Sequence, residues 1–262
     1  MIHWNASPEI IALGPLQIRW YGLLFAMGFL AGYRMMFKIC EREKISTEHL
    51  DSLLVYMMVG TVVGARLGHC LIYEPEIYLN DPIRIFKVWE GGLASHGGAL
   101  GVMLGTWFWK RRHFQGSFLN LVDYLCVPSA LVSAMIRLGN FFNSEIIGKP
   151  TDVPWAVVFQ RVDHLPRHPS QLYESISYLI TFGVLSWTLF SGRYQRRRGL
   201  LLGIFFTMIF TARFFIEFLK EPQVGYESQL PLDLGQLLSI PFVLCGLFLI
   251  YRALRMPVAA PA

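Results

Sequence analysis

Residues 137–148 read Arg-Leu-Gly-Asn-Phe-Phe-Asn-Ser-Glu-Ile-Ile-Gly and close an apolar run that begins near Leu121. The run has about 20 residues, the length that an α-helix needs to cross the hydrocarbon core of a bilayer. Arg137 would then end a membrane-spanning helix, and Asn140, Asn143 and Glu145 would lie just beyond it. A cation and several hydrogen-bonding groups are costly at such a boundary, so this stretch is predicted to serve a function.

The composition indicates a membrane protein and excludes an ordinary soluble one. Of the 262 residues, 54% are hydrophobic and only 16% are charged. The four cysteines are scattered through apolar segments and form no Cys-x-x-Cys pair. They are predicted to be small buried side chains without a disulfide or metal role.

The pattern of apolar runs predicts an all-α polytopic membrane protein with seven transmembrane helices. The whole chain, 1–262, is interpreted as a single transmembrane domain. Residues 143–170, between the fourth and fifth spans, are predicted to form an external cap, and their four prolines favour irregular backbone there. The predicted spans are 17–39, 50–73, 92–109, 121–142, 171–191, 199–219 and 235–254.

The placement of lysine and arginine predicts the orientation in the membrane. Thirteen of these residues flank the spans on one side and seven on the other. Since cytoplasmic loops carry the excess of basic residues, the N-terminus is predicted to be outside and the C-terminus in the cytoplasm.

Depth in the bilayer brings together polar residues from five of the predicted spans. With a rise of 1.5 Å per residue, Arg66 lies about 10 Å and Arg213 about 9 Å from the outer ends of their helices. Arginines that face one cavity make a good phosphate site, because each guanidinium can bind two oxygens. At this depth the phosphate would belong to a phospholipid headgroup. The five residues in the outer third are Tyr21, Arg66, His96, Arg137 and Arg213.

Each of these residues also has a purely structural interpretation. Arg66 can snorkel to the interface along its aliphatic stem, and Tyr21 can anchor the helix in the aromatic belt. His96 alone is typical of a hydrogen-bonded structural histidine. Arg213 and Glu217 are spaced to form an ion pair on one helix face. Their convergence at one depth favours the functional interpretation.

Small residues recur at helical spacing in the second and third spans. Gly60, Gly64 and Gly68 are each four residues apart, as are Gly97, Gly101 and Gly105. Such stripes let helix backbones approach closely, so tight packing is the predicted role of these glycines.

The motifs resemble those of the bacterial prolipoprotein diacylglyceryl transferase family over nearly the whole chain. The block at 137–148 and the His-Gly-Gly block at 96–98 together make the resemblance specific. The other matching segments are Trp20-Tyr-Gly22, Gly64-Ala-Arg-Leu-Gly68, Trp89-Glu-Gly-Gly-Leu-Ala-Ser95, Pro166-Arg-His-Pro-Ser-Gln-Leu-Tyr-Glu174, Arg213-Phe-Phe-Ile-Glu-Phe218 and Gly235-Gln-Leu-Leu-Ser-Ile-Pro241.

The resemblance implies an activity, its partners and a location. Such enzymes transfer the diacylglyceryl group of phosphatidylglycerol to the lipobox cysteine of a prolipoprotein signal peptide, form a thioether and release glycerol phosphate. The site would lie toward the outer leaflet of the bacterial cytoplasmic (inner) membrane. No metal or organic cofactor and no nucleic acid are expected.

The resemblance also suggests roles for particular residues. Arg137 and Arg213 would bind the phosphodiester and offset the charge that develops on it. His96 is the candidate general base, with Glu145 and Glu217 as alternatives or as groups that orient an arginine. The headgroup contacts are assigned to Tyr21, Arg66, Gly97, Gly98, Arg137, Asn140, Asn143 and Gly148.

The chain departs from the family at two positions. Family members often have a tyrosine where this chain has Ile209, and another where it has His69. No role of those tyrosines is carried over.

Two other classes of protein compete with the transferase. A transporter for a small anionic solute or lipid predicts an internal repeat and a polar site at the midplane, and the sequence indicates neither. An intramembrane serine protease needs a serine matched to a histidine. Ser95 directly precedes His96, so on a helix their side chains point apart.

Overall fold

The computed structural model describes residues 2–13, 16–87, 91–92, 94–194, 197–221 and 232–256. Trp89 and Glu90 of the matching block, and most of the connection 220–234, lie outside the described residues. The chain divides into two compact units, residues 1–38 with 122–262 and residues 39–121. The single transmembrane domain stays a prediction.

Long α-helices dominate both units, as the sequence predicts. The α-helices are α1 Trp20–Glu43, α2 Leu50–Gly68, α3 Pro75–Asn80, α4 Ser95–His113, α5 Phe118–Asn143, α6 Ser170–Phe190, α7 Leu200–Glu217 and α8 Leu234–Arg255. The first unit contains most of α1 and α5 together with α6, α7 and α8, and the second contains α2, α3 and α4. A π-helical turn, His69–Tyr73, continues α2, and a 3₁₀ helix, Pro82–Phe86, follows α3.

Within the described residues, five helical segments are long and apolar enough to cross a membrane. They are Trp20–Glu43, Leu50–Tyr73, Phe118–Asn143, Leu200–Glu217 and Leu234–Arg255. The predicted third and fifth spans correspond to α4 and α6, which are long enough but carry more polar residues. Five apolar helices establish a mostly helical membrane protein, and the seven-span count stays a prediction.

Short strands add a feature that the all-α prediction lacks. β1 (Ile2–Trp4) pairs in parallel with β4 (Val157–Phe159), and β4 pairs antiparallel with β5 (Pro166–Arg167). β2 (Glu9–Leu13) and β3 (Leu16–Arg19) form a separate hairpin that leads into α1. The cap therefore has a small sheet where its prolines predict irregular backbone. Phe141 near the end of α5 packs against Val157 and Phe159 of this sheet.

In the unit 39–121, α2 and α4 pack through the two glycine stripes, which confirms their predicted packing role. A Cβ added to Gly64 would lie 2.7 Å from the Gly101 Cα, a distance at which the helices would have to move apart. The backbones therefore meet at a separation that larger side chains would prevent.

In the other unit, Asp123 on α5 fixes the start of α7. The Asp123 carboxylate accepts hydrogen bonds from the backbone N–H groups of Gly199 (2.6 Å) and Leu202 (2.8 Å) and from the Tyr194 hydroxyl (3.1 Å). N–H groups in the first turn of a helix have no partner within it, so a carboxylate there satisfies them. This contact anchors the helix that carries Arg213 and Glu217.

Candidate active site

The end of α5 places four of the predicted site residues in one hydrogen-bonded chain. Arg137 Nη1 donates to Asn140 Oδ1 (3.2 Å), and Asn140 Nδ2 donates to Glu145 Oε2 (3.0 Å). Asn143 Nδ2 donates to the other carboxylate oxygen of Glu145 at 3.2 Å. These residues therefore form a local network. The amides of Asn140 and Asn143 orient the Glu145 carboxylate, and Asn140 also accepts a hydrogen bond from Arg137.

The turn after α5 has an unusual backbone. Ser144 and Ile146 both lie in the left-handed region, with φ of 57° and 56°. A β-branched residue is an outlier there, and such strain persists only where neighbouring groups hold it. Two side chains from the start of α6 do so: the Ser170 hydroxyl donates to the Ile146 carbonyl oxygen (2.6 Å), and Gln171 Nε2 donates to the Glu145 carbonyl oxygen.

A polar cavity of about 180 Å³ lies beside this turn. Three cations, Arg137, Arg213 and Lys220, line it together with one carboxylate, Glu217. The remaining lining residues are Ile146, Leu234, Gly235 and Leu238. The structure thus brings Arg137, Arg213 and Glu217 together, as the depth estimate predicts for the two arginines.

Two carboxylates link the cations of the cavity. Glu174 Oε2 lies 2.8 Å from Arg137 Nε, and its Oε1 accepts a hydrogen bond from Lys220 Nζ at 2.8 Å. Lys220 Nζ also donates to Glu217 Oε2 at 3.1 Å. The Arg137–Glu174 contact has the distance of an ion pair without the alignment of a hydrogen bond. The sequence suggests an ion pair between Glu217 and Arg213. In the structure the partner of Glu217 is Lys220.

Gly235, at the start of α8, lets that helix reach the carboxylate. A Cβ on Gly235 would lie 2.6 Å from the Glu217 Cδ, so a larger residue would displace the carboxylate or the helix. The capping box of Asp233 and Gln236 fixes where α8 begins.

Gly148 joins three segments of backbone. Its N–H donates to the His168 carbonyl oxygen (3.0 Å), and its own carbonyl oxygen accepts from Arg167 Nη1 (3.1 Å). A Cβ there would lie 2.5 Å from the His168 oxygen and 2.8 Å from the Leu219 carbonyl oxygen. The backbone therefore approaches protein backbone closely at Gly148, and the headgroup contact assigned to this residue stays a prediction.

Tyr21 lies against the last turns of α5. Its ring is so close to Gly139 that a Cβ on the glycine would lie 2.8 Å from the Tyr21 Cδ2. The preceding Trp20 stacks on Phe142, with 4.8 Å between ring centroids. These contacts hold the start of α1 beside Gly139, the neighbour of Asn140 on α5.

The four other predicted site residues belong to the unit 39–121. Arg66 is buried, and its guanidinium donates to backbone carbonyl oxygens within residues 84–87 and 91–92, among them those of Ile85 (2.9 Å) and Lys87 (3.1 Å). Gly97 packs against Gly64 and Gly68 of α2, and Gly98 makes ordinary contact with Ala65. These contacts give Arg66 and Gly97 structural partners.

His96, the candidate base, is exposed in the first turn of α4. Both of its predicted roles, general base and structural histidine, stay predictions.

The cap carries a charged cluster around Arg167 of β5. Arg167 donates to the Asp163 carboxylate from Nε (2.9 Å) and also binds Glu221. The hydrogen bond from Arg167 lowers the pKa of Asp163, and the same bond raises the pKa of Arg167. Burial lowers the pKa of His168, because the charged form loses hydration.

Two residues of the cavity network are missing from the sequence-based assignment. Glu174 is the one charged residue of α6 and lies at the depth of the arginines, and that pattern alone makes it a candidate. Lys220 follows α7 in a connecting segment, where a basic residue has no distinguishing feature. Only the fold reveals that it turns back into the cavity.

Comparisons with known proteins agree with the motifs. The sequence profile described as prolipoprotein diacylglyceryl transferase matches residues 8–252. A phosphatidylglycerol–prolipoprotein diacylglyceryl transferase of Tolumonas auensis is 55% identical over 249 residues, covering 95% of this chain and 96% of that protein. Proteins of the same name from Chloroherpeton thalassium and Porphyromonas gingivalis are 50% and 46% identical, with 97% and 98% of this chain covered, and 95% and 96% of those proteins.

Proposed function

Because the chain belongs to the prolipoprotein diacylglyceryl transferase family, we propose that it transfers the diacylglyceryl group of phosphatidylglycerol to the lipobox cysteine of a prolipoprotein. The observation that carries this proposal is the cavity at the end of α5, where Arg137, Arg213 and Lys220 converge. No observation favours a transporter.

The charge of the cavity suits a phosphodiester. Three cations face two carboxylates, Glu174 and Glu217, so the group has one net positive charge. The phosphodiester of phosphatidylglycerol has one negative charge, and its binding would neutralise the site. The volume of about 180 Å³ is smaller than the pockets that enclose drug-sized ligands. It fits a headgroup, while the acyl chains would lie in the bilayer.

The proposed reaction is a displacement at a glyceryl carbon. The cysteine thiolate attacks this carbon, a C–S bond forms, and the C–O bond to phosphate breaks with its electron pair moving to the phosphate oxygen. Arg137 and Arg213 would stabilise the charge that accumulates there. Glycerol phosphate leaves, and the lipoprotein keeps the thioether.

The thiol must first lose its proton, because the thiolate is the nucleophile. Glu145 is held by two amide donors and Glu217 by Lys220, so both carboxylates already have partners. We therefore assign the role of general base to His96, because histidine is the side chain that enzymes use most often for proton transfer.

Headgroup contacts are proposed for Tyr21, Asn140 and Asn143, which lie at or beside the end of α5. Gly148 would shape the site through its backbone contacts, and Arg66 would hold the backbone of residues 84–87. Gly97 and Gly98 would act by placing the start of α4, which carries His96. The proposed site would lie toward the outer leaflet of the cytoplasmic membrane, and the orientation predicted from basic residues supports this location.

The test is transfer of diacylglycerol to a synthetic lipobox peptide, followed by the mass of the peptide. The wild-type chain with phosphatidylglycerol is expected to add one diacylglyceryl group, whereas peptide cleavage would indicate a protease. Arg137→Ala is expected to lower kcat by about 100-fold or more. The matched control is Arg161→Ala, at an exposed arginine of the cap, which should retain activity. A fully active Arg137→Ala variant would overturn the phosphate-binding role.

A further inference from the structure

Glu174 has an environment that the proposed chemistry does not yet use. It lies in the second turn of α6, and its side chain is 0% exposed. A buried carboxylate without compensation is strongly destabilising, and here each oxygen contacts a different cation. Arg137 comes from α5 and Lys220 from the segment after α7, so one carboxylate connects three elements.

Lys220 is almost as buried, with 4% of its side chain exposed. Its ammonium donates to Glu174 and to Glu217, at 2.8 Å and 3.1 Å. An ammonium has three N–H donors, so one remains for a ligand once both carboxylates are bound. Because Lys220 lines the cavity, a bound anion can accept that hydrogen bond.

We propose that Glu174 is a positioning residue that holds Arg137 and Lys220 as a pair of phosphate-binding cations. The inference rests on the proposed function, since the anion is the phosphodiester of phosphatidylglycerol. Its physical basis is preorganisation: a cation already fixed where negative charge develops need not reorient during the reaction. Losing the carboxylate would leave the cavity positively charged but its cations free to turn.

The test separates binding from turnover. Glu174→Gln keeps the shape of the side chain and removes its charge. The expected result is a kcat lowered about 10- to 100-fold, with the KM for phosphatidylglycerol changed less than about threefold, because charge attraction is retained while orientation is lost. The matched control is Thr181→Val, a buried polar residue of the same helix whose hydroxyl bonds only within α6. A kcat within about twofold of wild type would overturn the proposal.

A charge-conserving variant separates positioning from simple charge balance. Glu174→Asp keeps the net charge of the cavity at that of the wild type but draws the carboxylate back by one methylene from Arg137 and Lys220. If Glu174 only balanced the charge of the cations, this variant would keep wild-type kcat, and that outcome would overturn the proposal. A kcat as low as that of Glu174→Gln, with a thermal unfolding temperature near that of Thr181→Val, supports it. If the wild-type chain itself transferred no lipid, the proposed function would fail, which is a different result from an active Glu174→Gln variant.

Discussion

Single residues of this site work through the backbone as much as through their side chains. Ile146 lines the cavity with a φ of 56°, a conformation that costs a β-branched residue about 1–3 kcal/mol. The hydroxyl of Ser170 and the amide of Gln171 stabilise this turn from α6. Within this turn the Glu145 carboxylate accepts hydrogen bonds from the side-chain amides of Asn140 and Asn143.

At the scale of single residues, the close packing at Gly148 leads to a testable prediction. Gly148→Ala places a methyl group against the carbonyl oxygens of His168 and Leu219, and neither backbone can yield cheaply. We expect a loss of about 1–3 kcal/mol in the free energy of unfolding, together with lower transferase activity. Thermal unfolding in detergent and the peptide assay measure the two effects. Gly183→Ala is the control, because an added Cβ there meets nothing within 4 Å. Equal behaviour of the two variants would contradict the packing role.

At the scale of elements, the contact between α2 and α4 depends on glycine. The facing residues are glycines on both helices, so main-chain atoms approach where side chains would normally separate them. This contact places the start of α4, which carries His96, against α2. The helix pair is therefore the scaffold of the proposed base within its own unit.

The expected cost of disturbing this contact can be measured within one helix. Gly101→Ala would place a Cβ 2.9 Å from the Gly64 Cα and still closer to the Gly60 carbonyl, and it should destabilise the protein by about 1–3 kcal/mol. Gly98→Ala is the matched control on α4, since its Cβ would make only ordinary contact with Ala65 at 3.5 Å. Thermal unfolding of both variants in the same detergent tests the difference. A Gly101→Ala variant as stable as Gly98→Ala would rule out close backbone packing as the reason for the stripe.

The helices could be predicted from the sequence more fully than the strands and connecting segments. Helices were predictable because long apolar runs in a bilayer must satisfy their hydrogen bonds internally. The glycine stripes carry a periodic pattern, and depth along a helix is simple geometry, so Arg137 and Arg213 could be assigned to one cavity. Lys220 could not, since its return into the cavity depends on how the chain turns after α7. The strand at the N-terminus pairs with a strand of the cap that is far away in sequence. Both strands are too short to show a recognisable alternation of apolar and polar residues.

At the scale of the whole molecule, arginine pairs with an aromatic ring at three helix ends among the described residues. Arg111 lies over Trp107 (4.1 Å to the ring centroid), and Arg193 lies over Trp187 (4.3 Å). Arg255 lies over Tyr251 at 4.4 Å. The predicted seven-span orientation would place all three pairs on the cytoplasmic side. Such amphipathic pairs suit an interface where rings enter the headgroup region and cations meet anionic lipid.

This orientation gives a prediction for the molecule as a whole. Single cysteines at exposed positions, reacted with a membrane-impermeant maleimide, should label from outside at the N-terminus and cap, and only after permeabilisation at the α4–α5 connection and beyond α8. The background is the chain with Cys245→Ser, because the other three cysteines are buried. An odd number of crossings requires the first and last positions to label from opposite sides. Labelling of both from one side would contradict seven spans, and a uniformly reversed pattern would move the cavity to the inner leaflet. The four substitutions are Ser7→Cys, Gln115→Cys, Asp152→Cys and Met256→Cys.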